Sequence, residues 1–183
     1  MTSSLAIAAA PQTDLDVAPV DSKSFRSGMA RLAAGVNIIT SAGANGWCGF
    51  TASAVCSVTD DPPTLLVCLN RASQMHLVFQ ENGAFCVNTL AADQQELAVM
   101  FAKRTGTPMQ ERFALPIWQK LKTGAPALRH ALACFDCRIS DVKEVGTHWV
   151  FFGEVMEVDL PRRNSALLYL HRSYRAMELA GAK

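Results

Sequence analysis

The chain has 183 residues, with 17 basic and 16 acidic side chains and a formal charge of +1. Such a balance, with no run of like charge, argues against nucleic acid or an anionic membrane surface as a partner. Half of the residues are apolar and 18% are charged, which suits one soluble domain burying roughly 70% of its unfolded surface.

Residues 1–22 are rich in Ala, Pro, Ser, Thr and Asp and read as a flexible tail or an arm laid over a neighbour, ahead of one domain over 23–183. Leu5–Ala10 is short and lacks a basic leader, so it does not read as a secretory signal. No stretch approaches the roughly 18 apolar residues that cross a bilayer, and a cytoplasmic protein is expected. Phe25, Met29 and Leu32 recur at helical spacing, which predicts a helix over 24–32 that Gly35 can stop. The β-branched run Val36–Ser41 predicts a strand, followed by a turn through Gly46. Trp47–Thr59 reads as one long strand of small side chains, ended by Asp60-Asp61-Pro62-Pro63. Thr64–Asn70 reads as the next strand.

Ser73 can cap a short helix over 74–82, closed by Gly83. After a strand at Phe85–Leu90, Asp93 to Glu96 resembles a capping box that opens a helix ending at Phe101. Residues 103–130 mix basic, Gly and Pro residues with Phe113 and Trp118 and read as a structured excursion. Strands at Ala131–Val142 and His148–Val158 join near Gly146, and a polar-aromatic segment, Tyr169–Met177, follows. Six or seven strands, three short helices and no βαβ alternation predict a mainly β fold, an antiparallel barrel with peripheral helices.

The six cysteines sit in or beside apolar, strand-like runs and read as buried thiols. Cys134 and Cys137 form a lone Cys-x-x-Cys with no second ligand pair, and the histidines show no metal spacing. No metal site is expected. Gly-x-Gly-x-x-Gly, a P-loop, Gly-x-Ser-x-Gly and His-Glu-x-x-His are all missing, so a nucleotide must be held in some other way.

Four segments carry candidate chemistry. Gly49–Ser57, crowded with Thr, Ala and Ser, suits either the close approach of a flat ligand or tight packing on a helix. Asn70-Arg71-Ala72-Ser73, leading into a helix, suits either a phosphate or a simple N-cap. Gly146-Thr147-His148 can stand a histidine at a barrel rim or merely at the surface. His171-Arg172-Ser173-Tyr174 can close a site, bridge subunits or form a frayed end.

The order of these segments resembles the short-chain flavin reductase family, in particular the reductase components of two-component monooxygenases of the 4-hydroxyphenylacetate and pyrimidine-utilisation types. The resemblance rests on Ala34–Thr40, the long block Gly49–Arg71, Cys86–Leu90, Arg112-Phe113, Trp118, Phe135–Ser140, Gly146-Thr147-His148 and Arg172-Ser173-Tyr174. It covers residues 24–177. It implies a split-barrel, Greek-key flavin-binding fold acting as a homodimer, in which NADH (or NADPH) reduces FMN or FAD and the reduced flavin leaves for a separate monooxygenase. Flavin contacts carried over from the family fall on Thr40, Ser41, Thr51, Ala52, Ser53, Ala54, Val55 and Ser57. The phosphate maps to Arg71 and Ser73, with further contacts at Phe101 and Lys103. His148 takes the nicotinamide-binding position, and Thr147 stands where many relatives carry Asp. Two other readings stay open: a non-catalytic flavin-binding or storage protein, and an FMN-dependent oxidase on a related barrel.

Overall fold

The computed structural model describes residues 17–44, 46–102 and 106–180. Most of the expected tail, and Lys103, lie outside the described residues. Asp21 caps the first helix, accepting from the backbone N–H groups of Lys23 (2.8 Å) and Ser24 (3.0 Å). Helix α1 therefore runs Ser22–Met29, starting two residues before the apolar spacing predicts, because the cap rather than the periodicity sets its origin.

A short β1 (Ala34–Gly35) leads into β2 (Asn37–Gly43) and β3 (Gly46–Ala52). The expected long strand is broken: β3 ends at Ala52 and β4 (Val55–Asp60) begins after only Ser53 and Ala54. Next come β5 (Pro63–Asn70), α2 (Met75–Asn82) and β6 (Ala84–Thr89). Gly83 closes α2 at φ +70, in the left-handed region that favours glycine. The helix expected to end at Phe101 is α3 (Gln95–Phe101), and the excursion after it holds α4 (Met109–Phe113) and a small hairpin, β7 (Trp118–Lys120) with β8 (Pro126–Leu128). The capping box is only half made. Gln94 accepts from the Ala91 N–H at 2.9 Å, while Asp93 pairs with Arg163. The chain then runs through β9 (Ala133–Val145), β10 (His148–Asp159), β11 (Ser165–Leu170) and β12 (Ser173–Glu178).

Seven strands form one antiparallel sheet in the order β3-β2-β6-β9-β10-β5-β4. Its two edges, β3 and β4, are consecutive in the chain. Laid flat, seven strands would separate those edges by roughly 29 Å, whereas three residue steps span at most about 11 Å. The sheet must roll up until its edges meet at Ser53-Ala54, and the result is a barrel split along that seam. This is the mainly β, split-barrel architecture expected from the sequence.

Strand alternation fills the barrel. Ile39, Cys48, Phe50, Leu65, Val67, Leu69, Phe85, Val87, Cys137 and Phe151 form one buried cluster, which Phe79 of α2 joins. Phe79 meets Phe50, Phe85 and Phe151 at centroid distances of 5.6, 6.5 and 5.9 Å. Burying each such ring contributes about 1.5–3 kcal/mol. The opposite faces of β2, β6 and β9 supply Ile38, Cys86 and Cys134 to a second cluster, with Leu90, Phe101, Leu128 and Leu167. Cys134 and Cys137 thus point into different cores, as i and i+3 on a strand must. All six cysteines are free. The three-stranded sheet β1-β11-β12 docks through Val36 N to Leu167 O, Leu167 N to Leu90 O and Leu90 N to Val36 O (2.9–3.0 Å).

Candidate functional site: the seam of the barrel

β3 hydrogen-bonds to β2 and β4 to β5, but no ladder joins β3 to β4. At the seam the Ser53 carbonyl accepts from Val55 N (3.1 Å) and the Ala54 carbonyl from Cys68 N (3.2 Å). The N–H groups of Ser53 and Ala54 have no acceptor among the described residues. The split therefore leaves a short row of free backbone donors, the feature of a sheet edge that recruits a partner.

These donors stand in the wall of a cavity of about 340 Å³. Phe50 to Ala54 form one side, Cys68, Leu69 and Asn70 another, and Ser73, Met75, Phe101, Ala102 and His148 complete it. Thr51, Ala52, Ser53 and Ala102 also border a neighbouring hollow of about 240 Å³ that ends on Val36, Tyr169 and Tyr174. Glycine makes the wall thin: a Cβ on Gly49 would stand 3.0 Å from the Ile39 carbonyl and 3.1 Å from the Phe101 ring. Its absence lets α3 lie close against β3. Thr51 Oγ1 fixes that approach by donating to the Ala98 carbonyl at 2.6 Å.

The β9–β10 turn places the histidine. Val145 pairs with His148 across a two-residue turn, and Gly146 has φ +54, the sign a type II′ turn requires at its first central position. His148 then lies opposite Asn70 of β5, with Thr147 Oγ1 2.9 Å from its Nδ1. Arg71 ties the two rims together. Its N–H donates to the Thr147 carbonyl at 3.0 Å and its Nη1 to the Gly146 carbonyl at 3.1 Å. The guanidinium pairs with Glu144 and lies 6.0 Å from the Trp149 ring centre. Ser73, nearly buried, accepts from Met75 N at 3.4 Å. The carbonyl of Ser73 accepts from His76 Nδ1 at 2.7 Å, and the His76 ring stacks on Trp149 at 5.5 Å. Burial pushes up the thiol of Cys68, which keeps it protonated in the cavity wall. Among the described residues no three His, Cys, Asp or Glu side chains gather to hold a metal, and no helix is long and apolar enough to cross a membrane.

Of the residues singled out in the sequence, Thr51, Ala52, Ser53, Ala54, Ser73, Phe101 and His148 come together in this cavity, while Arg71 lies next to its lining residue Asn70 and bonds to the Gly146-Thr147 turn beside His148. Thr40 and Ser41 do not join them. Both are fully buried on β2: Thr40 Oγ1 donates to the Pro126 and Cys86 carbonyls, and Ser41 Oγ to the Ala84 carbonyl at 2.6 Å. Their hydroxyls bind the strand to its neighbours. Val55 and Ser57 line a separate apolar hollow with Leu65, Val87, Phe135 and Val155, because the seam turns β4 away from β3. Asn70 and Tyr174 stood out in the sequence only within their candidate segments, and nothing marked Tyr169 as a site residue. Asn70 was signalled only by its place before Arg71. The tyrosines meet at 5.3 Å because they pair across the β11–β12 hairpin.

A barrel split at one seam, with unpartnered backbone donors, a histidine opposite and an arginine near a helix entrance, is a candidate ligand-binding fold without a Rossmann loop. The profile of the flavin reductase like domain matches residues 29–178, and the chain belongs to that family. It is 51% identical over 160 residues to FMN reductase (NADH) RutF of Stutzerimonas stutzeri, covering 87% of this chain and 91% of that one. It is 46% identical over 156 residues to the 4-hydroxyphenylacetate 3-monooxygenase reductase component of Pseudomonas aeruginosa, covering 85% and 92%. Among solved structures, BorF, the flavin reductase component of a bacterial two-component tryptophan halogenase, superposes with a TM-score of 0.80 at 36% identity, covering 86% of this chain and 99% of that one.

Proposed function

We propose that this protein is an NAD(P)H-dependent flavin reductase that passes a hydride from NADH (or NADPH) to FMN or FAD and supplies reduced flavin to a partner monooxygenase. The observation that carries the reading is the pair of unpartnered N–H groups at Ser53 and Ala54 in a cavity wall that also holds His148. A flavin fits these residues. Its ring edge offers the acceptors that the seam lacks, the small side chains from Thr51 to Ala54 let a flat ring approach the backbone, and its phosphate suits Arg71 and Ser73. When bound, the flavin supplies the electrophilic nitrogen that accepts a hydride from the nicotinamide ring.

The chain supplies position. Ser53 and Ala54 hold the ring edge and favour negative charge growing there. Thr147 engages Nδ1 of His148 and leaves Nε2 to orient the dinucleotide. No side chain need move a proton in the hydride step, so positioning accounts for most of the expected acceleration. The cavity opens to solvent, which suits a flavin that must leave.

The active form is a homodimer. Helix α1 buries none of its residues, and Phe25, Met29 and Leu32 are 58, 47 and 60% exposed; an apolar stripe of that kind calls for a cover. Six free thiols suit the cytoplasm. The test is the loss of NADH absorbance with FMN, FAD or riboflavin added. Flavin-dependent oxidation supports the reading. Binding without oxidation would favour a storage protein, and oxidation only of a small substrate on tightly held FMN would favour an oxidase.

A further inference from the structure

Arg71 does not meet the cavity as a free cation. Its Nη1 is engaged by the carboxylate of Glu144 and by the Gly146 carbonyl, its backbone N–H by Thr147, and its plane lies over Trp149. Nε and Nη2 have no partner among the described residues, so one edge of the guanidinium stays open. Glu144 is half exposed and stands on β9 directly across from Trp149. The carboxylate is thus built into the platform that presents Arg71 to the rim. A phosphate arriving at the open edge meets a cation already neutralised, with a like charge behind it.

We propose that Glu144 sets the hold on the flavin phosphate, by neutralising Arg71 and keeping the affinity low enough for the product to leave. The inference rests on Arg71 being the phosphate contact. An enzyme whose flavin is a travelling product gains nothing from a tight phosphate grip, and a competing carboxylate is a local way to loosen one without touching the ring site. Exposed ion pairs are weak, so the effect is modest and falls with salt.

The experiment titrates FMN and riboflavin, which lacks the phosphate, against the full chain and the variants Glu144→Gln, Arg71→Gln and the double variant, at low and high ionic strength. Glu144→Gln is expected to tighten FMN about two- to fivefold at low salt, less at high salt, and to leave riboflavin unchanged. Arg71→Gln should weaken FMN alone, and Glu144→Gln added to it should give no tightening. Unchanged or weaker FMN binding in Glu144→Gln, while Arg71→Gln still weakens it, overturns the role of Glu144 and leaves the phosphate contact standing. Unchanged FMN binding in Arg71→Gln removes the phosphate contact itself. Tightening that persists without Arg71 shows direct repulsion and overturns the proposed route.

Discussion

Thr51 Oγ1 donates to the Ala98 carbonyl at 2.6 Å, joining the strand that walls the cavity to the helix that ends at Phe101. The bond uses the hydroxyl hydrogen internally, so Thr51 shapes the cavity more than it donates to a ligand. Thr51→Val keeps the shape and removes the donor. It should cost about 1 kcal/mol, read as a loss of roughly 2–4 °C in thermal midpoint, with FMN affinity falling because the wall is no longer fixed.

Gly153 sits where β10 passes over the core. A Cβ there would stand 2.8 Å from Cys137 Cβ and would overlap the Phe85 ring. Gly153→Ala should destabilise by about 1–3 kcal/mol, the usual cost of overpacking. Gly28→Ala, in α1 with nothing within 4 Å, should instead stabilise by about 0.5–1 kcal/mol. Denaturant midpoints for the two variants should move in opposite directions.

The cysteines separate by environment. Cys56 is exposed, Cys68 half-buried, and the other four buried. Iodoacetamide on the folded protein should label Cys56 first, and Cys48, Cys86, Cys134 and Cys137 only after unfolding, as read by mass spectrometry. Burial pushes the Cys48 and Cys137 thiols up to about 12 from an ordinary 9.0. The folded chain therefore holds protons that the unfolded chain releases above pH 9. Stability from these groups is full below pH 9 and is lost as pH rises toward 12. Urea midpoints should fall across that range, with a shallower fall in Cys48→Ala.

His148 is fixed at the rim by Gly146 and Thr147 without contributing to either core cluster. His148→Ala should raise the apparent KM for NADH by about tenfold, equivalent to about 1.4 kcal/mol, and change that for flavin less. An unchanged NADH constant removes His148 from dinucleotide binding.

What could be read from the sequence depended on how local its cause was. Gly83 ends α2 and Gly146 turns β9 into β10, and both are visible because a single residue's conformational freedom decides them. The break at Ser53-Ala54 was hidden. No Gly, Pro, Asn or Asp marks it, and it arises from closure of a seven-stranded sheet. The carbonyl partners of Thr40 and Ser41 were hidden for a related reason. Whether a strand hydroxyl meets a ligand or a carbonyl depends on partners 43 to 86 residues away in the chain. The hairpin after Leu170 was missed because His171 and Arg172 take φ +51 and +59 without the usual Gly or Asn.

Flavin is proposed to bind at the unpaired seam of the barrel. Backbone amide exchange at residues 53 and 54, followed as FMN is added, tests it most directly. Slowed exchange at Ser53 and Ala54, saturating with FMN, is the predicted result. Exchange unchanged at both positions while FMN is fully bound would place the flavin elsewhere and overturn the seam as its binding site.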